Sequence, residues 1–417
     1  MPLFSIPLSG LTASSDALNI ISNNLANLNT VGFKDQQANF QDLFYQMLGT
    51  TGSGDPIQQG AGTEVGSVAS NFTNGNLQAT GIPSDAAITG NGFFVTKGAN
   101  GAYEFTRAGN FTVDASGNLV ASNGQYVMGY AAVNGVVNAG QGLTPIQLGQ
   151  GQISPPSPTT TMDQTTNLDA SANVGDTYST PLTVYDSLGN SHVLTFNYTK
   201  TGTNAWSYQV TLPAADTGGS GNPTVVTSGN LTFDSSGNLT SPTGSVAGIS
   251  VAGLADGAAT MNLTWNLTTP NGGATLTQVA SQSSTSATDQ NGYASGTLQS
   301  YTINSDGTIS GAFSNGQVQT IGQIALANFA NYQGLQLMGG NSYTPTLASG
   351  QAVIGAAGTG GRGTMTGGAL ELSNVDISTE FTNLIVVQRG FEANARMVTT
   401  FDSVSNDTIN LQAAPGN

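Results

Sequence analysis

Both ends of this chain carry an apolar periodicity that its middle lacks. Leu11, Leu18 and Leu25 recur every seven residues, with Ile21 and Leu28 on the same stripe. At the other end Ile377, Phe381, Leu384, Phe391 and Val398 draw a second stripe. Such stripes specify amphipathic helices, which need a partner to cover their apolar side. Between them lies a long Gly-, Thr- and Ser-rich body whose short alternating runs read as β-sheet. The expected fold is mainly β with paired terminal α-helices, suited to a subunit whose ends associate when it polymerises.

At 417 residues there is room for two or three domains with real cores. The 7 Lys+Arg stand against 23 Asp+Glu, a formal charge of −16. No basic patch can neutralise phosphates at useful density, so neither nucleic acid nor an anionic membrane is an expected partner. The chain has no Cys, which excludes disulfides and thiolate metal sites. The first residues show no basic n-region and no sustained apolar h-region, and no apolar run is long enough to span a bilayer as a helix. The expectation is a protein without a cleaved leader and without membrane insertion; work outside the cell then requires another export route.

Residues 5–29 read as one amphipathic helix, weakened by Asn23, Asn24 and Asn27 and ended at Gly32. A short helix is expected around 40–48, before a turn-rich segment at 49–62. Strand signals begin near Val65. A hairpin unit recurs three times, around Asp114-Ala-Ser-Gly-Asn118, Asp234-Ser-Ser-Gly-Asn238 and Asn304-Ser-Asp-Gly-Thr308. Its physical content is an Asx-rich turn with a Gly for positive φ; no copy offers the full oxygen series of a calcium loop.

Pro155, Pro156 and Pro158 mark a break near 149–161, beyond which 181–185, 192–198, 206–210 and 261–265 are strand candidates. The second long helix is expected to start near Asp376 or Ser378 and to run to about Leu411. On it Arg389 and Arg396, one heptad apart, could pair with acidic groups of a neighbour. The expected organisation is a terminal helical domain (1–30 and 375–417), extended connectors (31–70 and 355–374), an inner β domain (71–148 and 286–354) and an inserted outer β domain (149–285).

Catalysis finds little material. His192 is the one imidazole and reads as an exposed strand or turn residue; Asp186 could pair with it, but no GxSxG elbow accompanies them. The glycines of 358–364 lack the Walker lysine and read as an extended linker. No catalytic, cofactor-binding or metal-ligating set is expected, and the chain reads as no enzyme.

Ser22-Asn-Asn-Leu-Ala-Asn-Leu-Asn-Thr-Val-Gly-Phe-Lys34 closely resembles the signature of the flagellar rod and hook protein family. Its C-terminal counterpart is Leu372-Ser-Asn-Val-Asp-Ile-Ser378, followed by Glu380-Phe-Thr-Asn-Leu384 and Gln388-Arg-Gly-Phe-Glu-Ala-Asn394. The positions that carry the resemblance are Asn24, Asn27, Thr30, Gly32 and Phe33 at one end, and Asn374, Asp376, Gln388, Arg389 and Asn394 at the other. The stretches 91–95, 105–111 and 182–196 also resemble that family, the last favouring a hook over a rod subunit.

The resemblance implies a structural subunit of a hollow, flexible joint that transmits torque from rod to filament, with both terminal helices in a coaxial inner tube. It also implies a homopolymer that meets a distal rod protein, a hook cap and a hook–filament junction protein. Export by the flagellar type III apparatus to an extracellular location would follow, with no cofactor. A distal rod subunit shares the terminal motifs; a secreted β-rich adhesin or fibre would share the composition of the middle.

Overall fold

The computed structural model describes residues 5–44, 46–98, 100–149, 151–269 and 272–413, so the outermost ends of the expected terminal domain, 1–4 and 414–417, lie outside the described residues. The chain divides into two compact units. The first takes in the chain up to Gly149 together with Ser300–Gly311 and everything from 319 onward; the second holds residues 151–299 and Ala312–Val318.

The first unit contains both long helices, α1 (Ser5–Ala26) and α2 (Ile377–Ala413). They pack antiparallel: Gly10 lies against Asn394, Gly390 against Ser14, and Asn24 against Glu380. At about 1.5 Å per residue, the 37-residue α2 outruns the 22-residue α1 by some 20 Å. A two-stranded antiparallel ribbon, Gln36–Asp42 with Thr63–Ser70, runs beside α1, where the Thr63 N–H donates to Ser9 Oγ at 3.2 Å.

A second ribbon, Gln46–Thr50 with Pro56–Gln59, stands where a short helix at 40–48 was expected. The reason is tertiary: the apolar spacing there is helical, but a helix of two turns is marginal, and two successive pairings satisfy the backbone instead.

The β body of this unit is organised by one sheet whose strands run in the order Val318–Ile324, Tyr126–Val133, Phe93–Lys97, Tyr103–Thr106, Ser342–Thr344 and Gln336–Gly339. Successive strand residues point to opposite faces. Phe94, Val127 and Leu326 therefore fall into one core with Ile88, Phe111 and Ile309, while Phe93, Val95, Met128 and Ala327 fall into another with Phe105 and Phe329. Because both faces are covered, the run Phe93-Phe94-Val95 is apolar without alternation. The ring of Phe93 meets Phe72, Phe329, Tyr332 and Tyr343 at centroid distances of 5.4–5.8 Å.

The second unit is a pair of five-stranded sheets. One is an antiparallel run of Thr177–Tyr185, Ser191–Gly202, Ala205–Leu212, Thr224–Phe233 and Leu239–Ser241. The other is built around Thr161–Asp169, which pairs in parallel with Met261–Asn266 and Leu276–Val279 and antiparallel with Ser284–Gln290. Strand Ser191–Gly202 buries every second residue, and Leu194, Phe196 and Tyr198 meet Trp265 and Met162 from the facing sheet in one core. Phe196 and Tyr208 approach the Trp265 ring edge-on, at 4.9 and 5.3 Å.

Candidate assembly site

The helices are joined to the β body by the segments 27–36 and 371–380, and these carry the sequence motifs. Asn24 is buried at the end of α1 and acts on the chain that leaves it: its Nδ2 donates to Gln36 O at 2.8 Å and its Oδ1 accepts from the Gln36 N–H at 3.0 Å. The same Nδ2 reaches Glu380 Oε1 of α2 at 3.3 Å. A residue that weakens helix propensity thus sits where the helix must stop and hand its backbone to a ribbon.

Asn27 Oδ1 accepts from Thr30 Oγ1 at 3.0 Å, and the Thr30 carbonyl accepts from the Phe33 N–H at 3.2 Å, which folds 27–33 into a compact corner with Phe33 buried. Gly32 has φ +68° and donates its N–H to Glu371 O at 2.8 Å. A Cβ at Gly32 would come within 2.6 Å of the Arg107 carbonyl carbon. Both the left-handed conformation and the close approach demand glycine.

The C-terminal motif completes this corner. Asn374 Oδ1 accepts from the Asp35 N–H at 2.8 Å while its Nδ2 donates to Asn71 O at 2.8 Å, so one side chain ties three segments. Asp376 caps α2 by accepting from the Thr379 N–H at 2.8 Å, and that backbone bond holds its carboxyl below the ordinary range. Asn394 is half-buried against Gly10, whereas Gln388 and Arg389 are exposed.

The structure adds a centre that the sequence reading did not single out. Glu371 is fully buried; its Oε1 meets Lys34 Nζ at 2.7 Å and the Gly75 N–H at 2.9 Å, and its Oε2 meets Arg107 Nη1 at 3.3 Å. Lys34 also donates to Thr73 O at 2.7 Å and Arg107 to Gly90 O at 2.8 Å. Burial pushes the Lys34 ammonium below its ordinary value, with the carboxylate of Glu371 opposing that shift. No local signal announces this centre: Lys34 lies in the irregular segment after α1, and Arg107 in the bend just past the strand Tyr103–Thr106.

Along the helix pair, the seam on α1 consists of Pro7, Gly10, Ala13, Ala17, Ile21 and Asn24. Small residues three and four apart let the helix axes approach closely. Of the leucine stripe, Ile21 enters this seam; Leu11, Leu18, Leu25 and Leu28 flank it half-buried. On α2, Leu384, Phe391 and Val398 are half-buried, and Ile377 and Phe381 stay 46% and 53% exposed. Ile385, Val386, Met397, Val404 and Ile409 are exposed on the same helix.

His192 is buried rather than exposed, because strand alternation turns it inward, and it does pair with Asp186 (Nε2 to Oδ2, 3.1 Å). Its Nδ1 lies 3.1 Å from Asp216 Oδ2, so both ring nitrogens face carboxylates. In the recurring turns, Asp114 Oδ1 accepts from the Ser116 and Asn118 N–H groups, and Asp234 does the same with Ser236 and Asn238. These carboxylates organise their own backbone.

Four family models match the chain. "Flagella basal body rod protein" covers 6–34, "Flagellar hook protein FlgE/F/G D1 domain" 87–167, "Flagellar basal body protein FlaE D2 domain" 156–293 and "Flagellar basal body rod FlgEFG protein C-terminal" 366–411. Flagellar hook protein FlgE of Escherichia coli is 37% identical across 98% of this chain and 100% of its own length. The chain belongs to the flagellar hook protein family. FlgE of Salmonella typhimurium is likewise 37% identical over 98% of this chain and 100% of its own, and FlgE of Treponema pallidum 36% identical over 97% and 98%.

Like other members of the hook family, the chain is a structural subunit of the flagellar hook, a homopolymeric assembly. Among the described residues no helix is long and apolar enough to cross a membrane.

Proposed function

We propose that this chain builds a hollow hook that transmits torque while bending, with α1 and α2 packing against the same helices of neighbouring copies to line the tube. The observation that carries this reading is the apolar surface α2 retains after pairing with α1, from Ile377 and Phe381 through Val386 to Val404 and Ile409. At roughly 25 cal/mol per Å² such a surface is a strong incentive for association. The leucines flanking the α1 seam and the overhang of α2 extend it. Head-to-tail contacts of one such surface with a different one generate an open helical array rather than a closed ring.

In this reading the segments 71–148 and 286–354 form the inner β domain and 149–285 the outer one, whose neutral polar surface lets contacts between copies slide as the joint bends. The polymer would meet a distal rod protein, a cap and a junction protein, and be exported through the flagellar type III apparatus to the cell exterior. The test is polymerisation of the purified chain followed by electron microscopy. Wild type is expected to give short hollow tubes. Phe381→Asp places a charge on the exposed face and is expected to leave monomers whose β-sheet circular dichroism is unchanged. Tubes of normal yield from that variant would refute the proposed packing.

A further inference from the structure

His192 is the second residue of the strand Ser191–Gly202 in the second unit, and its side chain is 7% exposed. Three segments converge on it. The turn 186–190 supplies Asp186, the 3-10 turn Ala214–Thr217 supplies Asp216, and the loop 252–259 supplies Asp256. His192 Nε2 lies 3.1 Å from Asp186 Oδ2 and 3.5 Å from Asp256 Oδ2, and Nδ1 lies 3.1 Å from Asp216 Oδ2. Asn190 Nδ2 spans Asp186 Oδ2 at 3.4 Å and Asp256 Oδ2 at 3.0 Å.

Few other bonds hold these segments to one another. The Ala255 N–H donates to Asp216 O at 2.8 Å, and the Ala259 N–H to Ser187 Oγ at 3.0 Å. Three carboxylates thus face one ring, and no lysine or arginine among the described residues of this unit joins them. Lys200 is the only Lys or Arg in this unit; it lies toward the other end of the same strand, over the Trp206 ring at 5.1 Å, and donates to Ala170 O.

A neutral imidazole has one N–H and one lone pair. Either tautomer would aim that lone pair at a carboxylate, Nδ1 at Asp216 or Nε2 at Asp186 and Asp256. Only the imidazolium donates from both nitrogens. We propose that His192 is a proton-operated latch: protonated, it holds the 214–217 turn and the 252–259 loop against the 186–190 turn, and losing the proton releases them.

The electrostatics agree in direction. Burial lowers the His192 pKa, but hydrogen bonds to Asp186 and Asp216 outweigh it and leave the ring above its ordinary 6.5. Burial raises Asp186, while its contacts with Asp256 and His192 and the N–H groups of Asn190 and Leu188 bring it down to about 2. The stabilisation from His192, whose folded pKa is raised, is complete below 6.5 and is lost as pH climbs through the folded value. That from Asp186, whose folded pKa is depressed, is present above 3.8 and lost as pH falls toward about 2. The latch is closed between those limits.

Because the chain has a single His, full-length protein labelled with ¹⁵N only at histidine gives one pair of ring resonances. The expected result is two protonated nitrogens at weakly acidic pH and a midpoint above 6.5; in a second, uniformly ¹⁵N-labelled sample the amide resonances of 214–217 and 252–259 are expected to move at the same midpoint. A midpoint at or below 6.5, or loop amides indifferent to it, overturns the proposal.

His192→Gln retains a single donor group and no titration. The wild-type advantage in unfolding temperature over this variant is expected to vanish as pH rises through the midpoint; a gap constant with pH argues for packing alone and overturns the latch. If EDTA or added Zn²⁺ shifts the ring resonances of wild type at weakly acidic pH, an ion rather than a proton bridges the carboxylates, and the proposal fails.

Discussion

Two buried charge clusters serve the two units in opposite ways. Around Glu371, a Lys and an Arg converge on one carboxylate, and both also donate to backbone carbonyls, of Thr73 and Gly90. Around His192, one titratable cation faces three carboxylates. The first is built on a Lys and an Arg, whose pKa values burial lowers; the second on an imidazole whose ordinary 6.5 is raised by its carboxylate partners. Buried ion pairs add little net stability relative to apolar packing, but they are costly to break singly. In a chain with only 7% charged residues, both clusters therefore join segments distant in sequence: 34, 107 and 371 in one unit, 186, 216 and 256 in the other.

The sharpest test of this contrast is Glu371→Gln, which strands Lys34 and Arg107 without their anion. The first unit is expected to lose about 3–5 kcal/mol in denaturant unfolding, the typical cost of removing one partner of a buried pair. The loss should show no step at the His192 midpoint. A step there would erase the distinction between the clusters.

Gly32→Ala probes the backbone that supports the same centre. The left-handed φ alone costs about 1–2 kcal/mol, and the clash with the Arg107 backbone adds to it. Gly81→Ala is the control, since its φ of +70° is equally unfavourable but nothing lies within 4 Å of the added Cβ. Equal losses in the two variants would mean that the close approach at Gly32 relaxes freely.

The smallest effect is expected from Asp376→Ala. It removes an exposed cap without touching the charge centre, so faster amide exchange should stay confined to the first turn of α2. Exchange that spreads to 33–36 would show that the cap and the corner act as one unit.

Much of this junction was legible in the chain because its signals are local. An Asn cluster ends α1, Gly32 marks a turn, and Asp376 precedes a helix by the spacing of a cap. The β character and the strands at 192–198 and 206–210 followed from alternation that the core of the second unit uses directly. What escaped were long-range meetings. Nothing near Lys34 indicates a carboxylate 337 positions away, and nothing near His192 indicates that Asp216 and Asp256 return to it. The segment after Phe40 was misread as helix because periodicity reports which side chains share a face, not whether the backbone will find a sheet partner. The helix seam was hidden for a related reason: the leucines carry the apolar periodicity, but Gly10, Ala13 and Ala17 make the approach.

The placement of the cations has a last consequence. Lys34, Arg107 and Lys200 are buried, Lys97 lies over Tyr103 and Arg362 is bound to backbone carbonyls. Among the described residues, every ion pair belongs to one of the two internal clusters. Dissolved salt has almost no attractive pairs on the exterior to screen. Such a subunit should keep its fold with little change from fresh water to brine, its few surface charges mostly of one sign and merely less repulsive as ionic strength rises.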